Sequence, residues 1–184
     1  MDQYTSSWDF LQLLQYFGPR VLFAILCGGL VGLERELKNK PAGIKTNILI
    51  CVGATLYTSL SVLLSGANTG QGGQFGDPSR IAAQIVSGIG FLGGGTIIQA
   101  RGTILGLTTA ATIWVVAAIG ICVGLGHWDI AVMSSVVVVV VLVATNFLKT
   151  ASSADHSRLP ARSLSMIRLA KFANPSLSRF RKTT

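Results

Sequence analysis

The chain of 184 residues holds only seven carboxylates, and two groups of them stand beside other polar residues at spacings that could do chemistry. The first group is Asp77, Pro78, Arg80 and Gln84. On a helix, positions 77, 80, 84 and 88 share one face, because three, seven and eleven residues all lie close to whole turns. Asp77-Pro78 is a helix start, with aspartate as N-cap and proline at the first helical position. Two readings follow. Asp77 is a cap and Arg80 snorkels to an interface, or the row is a polar stripe descending from a membrane surface, as ion pathways require. The second group is Glu34-Arg35-Glu36, faced across a short hairpin by Thr46 and Asn47. Their oxygens are of the hard kind that suits Mg²⁺. Arg35, Lys38, Lys40 and Lys45 would repel a cation there, so a solvated interfacial cluster is the competing reading. Asp77 and Glu34 are therefore the candidate metal ligands, and Mg²⁺ is either a ligand or a transported ion. Thr103, Thr108 and Thr109 add hydroxyls that could face a pore or bond to their own helix backbone.

Other chemistry is disfavoured. The two histidines, His127 and His156, stand in neither Ser-His-Asp order nor HExxH spacing, so no enzyme is expected. The run Gly88, Gly90, Gly93, Gly94, Gly95 lacks the preceding strand and following Lys-Ser/Thr of a phosphate loop, and no cofactor is expected. So much glycine in a membrane helix instead implies crowding against neighbours or a locally broken helix. Cys27, Cys51 and Cys122 lie in apolar segments without C-x-x-C spacing and read as small buried hydrophobes.

The elements that must position these residues follow from composition. Half of the chain is hydrophobic, 12% is charged and the mean hydropathy is +0.59, whereas a soluble domain carries roughly a quarter charged residues. The apolar residues come in blocks of about 20, the number that spans about 30 Å of hydrocarbon as a helix. The expected fold is an all-α polytopic integral membrane protein with five transmembrane helices.

Helix one is expected over Pro19–Leu37, after a short extracytoplasmic segment, residues 1–18, that lacks the basic start of a signal peptide. Pro41-Ala42-Gly43 turns the chain into helix two, Ile44 to about Leu64. A Gly/Gln/Asn/Ser loop, 65–76, leads to helix three, Ser79–Gln99. Arg101-Gly102 is a tight turn, helix four covers Leu105–Gly124, and Gly126 and His127 end it. Helix five covers Ile130–Leu148. Its valine run, Val136–Val141, also suits a strand, but its length and the absence of sheet edges in lipid favour a helix. Residues 19–148 thus form the membrane domain.

Thirteen of the fifteen Lys and Arg residues fall on one side of this arrangement, leaving Arg20 and Arg80 on the other. That asymmetry places the first hairpin and the C-terminus in the cytoplasm and the N-terminus outside. Residues 149–184 are expected to be a basic cytoplasmic tail, disordered or lying on the membrane surface, with a short interfacial helix over 163–172. The net charge of +8 is accounted for by this topology, and no specific nucleic acid is expected. Small-x-x-x-small pairs at Gly28/Gly32, Gly90/Gly94 and Gly120/Gly124 let helix backbones approach closely, either within the chain or along a homo-oligomer seam.

Three strings then carry a resemblance. GGLVGLERELKNKPAGIKTNILICVGATLY (28–57), DPSRIAAQIVSGIGFLGGGTII (77–98) and GLTTAATIWVVAAIGICVGLG (106–126) are similar, in that order, to the MgtC/SapB family of bacterial membrane proteins. The resemblance implies a multi-pass inner-membrane protein with five helices. It also implies association with growth at low Mg²⁺ and survival in macrophages and, in some members, restraint of the F-type ATP synthase. The family's Glu-Arg-Glu run corresponds to Glu34, Arg35 and Glu36, and its Asp-Pro-x-Arg motif to Asp77, Pro78 and Arg80. MgtC-like members carry a folded cytoplasmic domain after the last helix, where this chain has its basic tail, so functions of that domain are not expected to carry over. The expected role is support of Mg²⁺ or envelope homeostasis by regulating partner membrane complexes. The alternative is an oligomeric Mg²⁺ or other cation transporter.

Overall fold

The computed structural model describes residues 9–67, 77, 79–100 and 103–156. Five helices and one short hairpin make up these residues: α1 Phe10–Leu37, α2 Ile44–Ala67, α3 Ser79–Gly95, β1 Ile98–Ala100, β2 Thr103–Leu105, α4 Leu107–Leu125 and α5 Trp128–His156. Residues up to Val143 form one compact unit, and a second unit begins at Ala144. Pro78, the Arg101-Gly102 turn, most of the 65–76 loop and the tail beyond His156, with its expected interfacial helix, lie outside the described residues.

Four helices, α1, α2, α4 and α5, are long and apolar enough to cross a membrane. The fifth, α3, has 17 residues, about 26 Å at 1.5 Å per residue, the short end of the spanning range. The protein is an all-α polytopic membrane protein, with outward-facing Leu22, Leu26, Leu30, Val136, Val137 and Val140 supplying the lipid-facing surface.

Several boundaries differ from expectation. The first helix starts at Phe10, so Pro19 lies inside it. Proline removes only one backbone donor, which a membrane helix tolerates, and Gln12 starts the helix earlier by accepting the Asp9 N–H through Oε1 at 3.3 Å. The third helix stops at Gly95 rather than Gln99. The Thr96 hydroxyl donates to the Gly93 carbonyl at 2.8 Å, and the chain then enters an antiparallel hairpin with Ile98 opposite Leu105 and Ala100 opposite Thr103. Gly106 follows at φ +91, where a Cβ would collide with the Thr96 carbonyl oxygen, so α4 begins at Leu107 instead of Leu105. At its far end Gly126 adopts φ +86, and the N–H groups of Gly126 and His127 close onto Val123 and Cys122. This is a Schellman stop at the expected place. The valine run is helical, and α5 extends from Trp128 to His156, past Leu148 at one end and ahead of Ile130 at the other.

Glycine sets the packing of α2 between α1 and α4. A Cβ on Gly28 would sit 2.8 Å from the Asn47 carbonyl oxygen and one on Gly32 2.6 Å from Ile44 Cα. From the other side, a Cβ on Gly120 would meet the Cys51 carbonyl oxygen and one on Gly124 would lie 2.6 Å from Thr58 Cβ. Two of the three expected small-residue pairs therefore pack within the chain. Gly90 and Gly94 do not, because nothing lies within 4 Å of a Cβ built on either. On α3 it is Gly93 that packs, against Ala110 of α4. Cys27, Cys51, Val31, Val116, Ile119 and Val123 fill the core between the glycine contacts, and α5 adds Ala131 and Leu142.

Candidate functional site

The end of α1 carries its charges inward. Glu34 and Arg35 are buried, at 7% and 3% exposure, and Asn47 on α2 is fully buried. Arg35 Nη2 donates to the Pro41 carbonyl at 3.1 Å and to Thr109 Oγ1 on α4 at 2.6 Å. One guanidinium thus ties together α1, the hairpin and α4. Both bonds come from the one nitrogen, each through one of its two N–H groups.

The hairpin it holds is strained. Asn39 and Ala42 have φ of +50 and +57, and for alanine this left-handed conformation costs on the order of 1 kcal/mol or more. Asn47 pins the strained segment, its Nδ2 donating to the carbonyls of Ala42 at 2.6 Å and Gly43 at 2.9 Å. Glu36 Oε2 accepts the Ile44 N–H at 2.9 Å and caps α2 from the neighbouring helix. A Cβ on Gly43 would lie 2.7 Å from that same oxygen, so a larger residue there would push the Glu36 carboxylate off its cap. Two buried atoms, Arg35 Nε and Asn47 Oδ1, have no hydrogen-bond partner among the described residues.

This arrangement splits the expected oxygen-ligand set. Glu36 is spent on a backbone N–H and Asn47 Nδ2 on backbone carbonyls, and Thr46 is exposed while Asn47, whose Oδ1 stays without a partner among the described residues, is interior. Among the described residues no three His, Cys, Asp or Glu side chains converge as a metal site would require. The candidate ligands Glu34 and Asp77 stand near opposite ends of α2. Asn47 and Ser61, which mark those ends, are fourteen residues apart, about 21 Å along a helix, so the two carboxylates of one chain cannot share an ion.

Asp77, Arg80 and Gln84 come together at the other end. With Ser61, Leu64, Ser65 and Ile81 they line a concavity of about 420 Å³. Asp77 Oδ1 accepts the Ser79 N–H at 2.9 Å and Oδ2 accepts the Ser79 hydroxyl at 2.7 Å, the geometry of an N-cap. These bonds, with a smaller contribution from Arg80, hold the carboxyl below the usual carboxylate range. Gln84 also lines a second, apolar groove of about 540 Å³ between α2 and α3, together with Gly53, Tyr57, Ile85, Gly88 and Leu92. The stripe 77, 80, 84, 88 thus exists as read from the sequence, and it runs from a polar mouth into an apolar slot.

Sequence reasoning found Thr109 but not its partner; a buried arginine needs an acceptor, and nothing in the spacing says it lies on α4. It also missed the hydroxyls that bond helix to helix in the interior, Thr55 to the Gly120 carbonyl at 2.9 Å and Ser59 to the Gly124 carbonyl at 3.3 Å. Their four-residue glycine-facing register on α2, at residues 55 and 59 opposite 120 and 124, was the available signal. Thr112 bonds to its own helix, at the Thr108 carbonyl, as the bland reading of threonine expects. Arg20 stacks over Tyr16, with its guanidinium carbon 3.8 Å from the ring centre, and donates to the Tyr16 carbonyl.

Comparison with known proteins agrees with these elements. The MgtC family profile matches residues 21–151. The chain is 43% identical over 127 residues to the Escherichia coli (strain K12) protein named "Putative magnesium transporter YhiD", covering 66% of this chain and 56% of that protein. It is 43% identical over 118 residues to "Protein MgtC" of Brucella abortus (strain 2308), covering 64% and 46%. It is also 44% identical over 124 residues to an uncharacterized protein of Haemophilus influenzae, covering 66% and 52%. The chain spans about half the length of these curated relatives, none of which is named as an enzyme. No solved structure matches. With the family profile covering the helices that build both the buried Arg35 junction and the Asp77 mouth, the chain belongs to the MgtC family and is a multi-pass protein of the bacterial inner membrane.

Proposed function

We propose that this protein supports Mg²⁺ or envelope homeostasis by regulating partner membrane complexes, without itself conducting Mg²⁺ or catalysing a reaction. The observation that carries this reading is the buried Arg35, held by Thr109 and Pro41. A fixed guanidinium beside one end of α2, with Arg80 near the other, opposes a divalent cation at both ends of that helix. A rigid, glycine-packed bundle is also a better docking body than a gate. The Escherichia coli relative carries the name "Putative magnesium transporter YhiD", which ties the reading to Mg²⁺. An F-type ATP synthase is one candidate partner, on the family resemblance.

The alternative is an oligomeric cation transporter, favoured by the place of Asp77 at the mouth of a concavity, where copies could assemble a ring of carboxylates. Mg²⁺ uptake into proteoliposomes under an imposed membrane potential separates the two. The regulator reading expects no uptake above empty liposomes from folded protein, while the same protein restores growth of a deletion strain at low Mg²⁺. Uptake that collapses in Asp77→Asn overturns it.

A further inference from the structure

The groove between α2 and α3 has a polar end and an apolar length, and we infer that it holds one phospholipid with a primary-ammonium headgroup, the phosphate on Arg80, the ammonium on Asp77 and an acyl chain in the slot along Gln84, Gly88 and Leu92. Three observations support this beyond the proposed function. The first is shape. The polar concavity and the apolar slot share Ile81 and Gln84, so they adjoin along one face of α3, and both volumes lie in the range of small-molecule sites. The second is length. Arg80 to Leu92 is twelve residues, about 18 Å on a helix, close to half of the roughly 30 Å hydrocarbon core and so to the depth of one leaflet.

The third is charge complementarity. Asp77 and Arg80 stand three residues apart at the start of α3 and line the same concavity, so one carboxylate and one guanidinium face the same space. A zwitterionic phospholipid headgroup carries the complementary pair, one phosphate and one ammonium. Arg80 suits a phosphate, which takes parallel N–H bonds. Asp77 accepts two hydrogen bonds from Ser79 and keeps lone pairs for the N–H groups of a primary ammonium. A quaternary ammonium has no N–H to give, and a glycerol headgroup leaves Asp77 facing an anion.

The slot can be plugged without disturbing the fold. Gly53 and Gly88 both line it, and nothing lies within 4 Å of a Cβ built on either. Native mass spectrometry of the full chain, released from detergent after incubation with equal amounts of phosphatidylethanolamine, phosphatidylglycerol and phosphatidylcholine, tests the assignment. One retained phosphatidylethanolamine is expected, preferred about fivefold, the effect of a partly exposed ion pair. Asp77→Asn, which still caps the helix, is expected to retain lipid without that preference. Gly88→Leu and, independently, Gly53→Leu are expected to lose the retained lipid while unfolding at no lower temperature than the parent. Retention of the three lipids in proportion to their supply overturns the proposal. So does undiminished retention in both folded leucine variants, or a dimer that Gly88→Leu dissociates with lipid retention unchanged, which would make the occupant a second copy of the chain.

Discussion

Arg35 and Thr109 are separated by 74 residues, yet the Arg35 guanidinium donates to the Thr109 hydroxyl at 2.6 Å inside the bundle. The contact joins the end of α1 to the first turn of α4, and the same nitrogen holds the charged hairpin through the Pro41 carbonyl. Replacing Thr109 by valine keeps the shape and removes the acceptor. A buried charged donor left without its acceptor costs about 1–3 kcal/mol. Thr109→Val is therefore expected to lower the unfolding temperature in detergent. In a double-mutant cycle Arg35→Met and Thr109→Val should be strongly non-additive, because the second change has nothing left to break.

Ala42 stands at φ +57 in the same hairpin, held there by Asn47. Glycine adopts this conformation without the Cβ penalty. Ala42→Gly is expected to raise stability by up to about 1 kcal/mol if the strain is purely local. Asn47→Ala should do the opposite, freeing two carbonyls and the strained turn together. Thermal unfolding of the two single variants checks both directions, and a loss of stability in Ala42→Gly would show that the hairpin is not strained.

The glycines divide into two classes that a stability series can tell apart. Gly28→Ala and Gly120→Ala place a methyl against backbone and Cβ atoms of α2. Backbone cannot yield as a flexible side chain can, so a loss of about 1–3 kcal/mol is expected, the usual cost of overpacking. Gly90→Ala meets open space and is expected to gain up to about 1 kcal/mol from helix propensity. Chemical or thermal unfolding in one detergent suffices, and the reading fails if Gly120→Ala is as stable as Gly90→Ala.

These contrasts mark how much was legible in the sequence. Block length and charge asymmetry sufficed for the helix count, because lipid leaves the backbone few alternatives. The spacing of Asp77, Arg80, Gln84 and Gly88 likewise predicted a shared face. Local rules could not show that Gly90 and Gly94 face outward while Gly28 and Gly120 face α2, because every small-x-x-x-small pair has the same pattern and only tertiary packing chooses among them. The early start of α1 was hidden by Pro19, read as a boundary where the membrane helix simply accommodates it. The hairpin after α3 was hidden because β1 and β2 are three residues each, too short for alternation to register.

Asp77 gives a pH dependence of definite sign. Its Ser79 hydrogen bonds lower the folded-state pKa beneath the unfolded value, which is about 3.9 for aspartate. The stabilisation is then fully present above that value and fades as pH falls through the lower, folded pKa. Unfolding temperature should drop on acidification from about pH 5 to pH 3, and Asp77→Asn should remove this residue's share of the drop while leaving behaviour at neutral pH nearly unchanged, since asparagine also caps helices. An unchanged acid profile in Asp77→Asn would sink the assignment.

Orientation is the prediction on which the others depend for their biology. Thirteen of fifteen basic residues fall on the side of the Lys38–Lys45 hairpin, and the expected orientation therefore has that hairpin in the cytoplasm and Asp77 outside. The native cysteines do not interfere with a labelling test, as Cys27 and Cys51 are buried and Cys122 is half-buried within α4. Ser79 and Lys40 are both exposed and stand at the two ends of the bundle, so Ser79→Cys and Lys40→Cys report on opposite faces. A membrane-impermeant maleimide applied to whole cells with a permeabilised outer membrane should label Ser79→Cys. Lys40→Cys should react only after the inner membrane is broken. The reverse pattern would put the Arg35 junction outside and the Asp77 concavity on the cytoplasmic face.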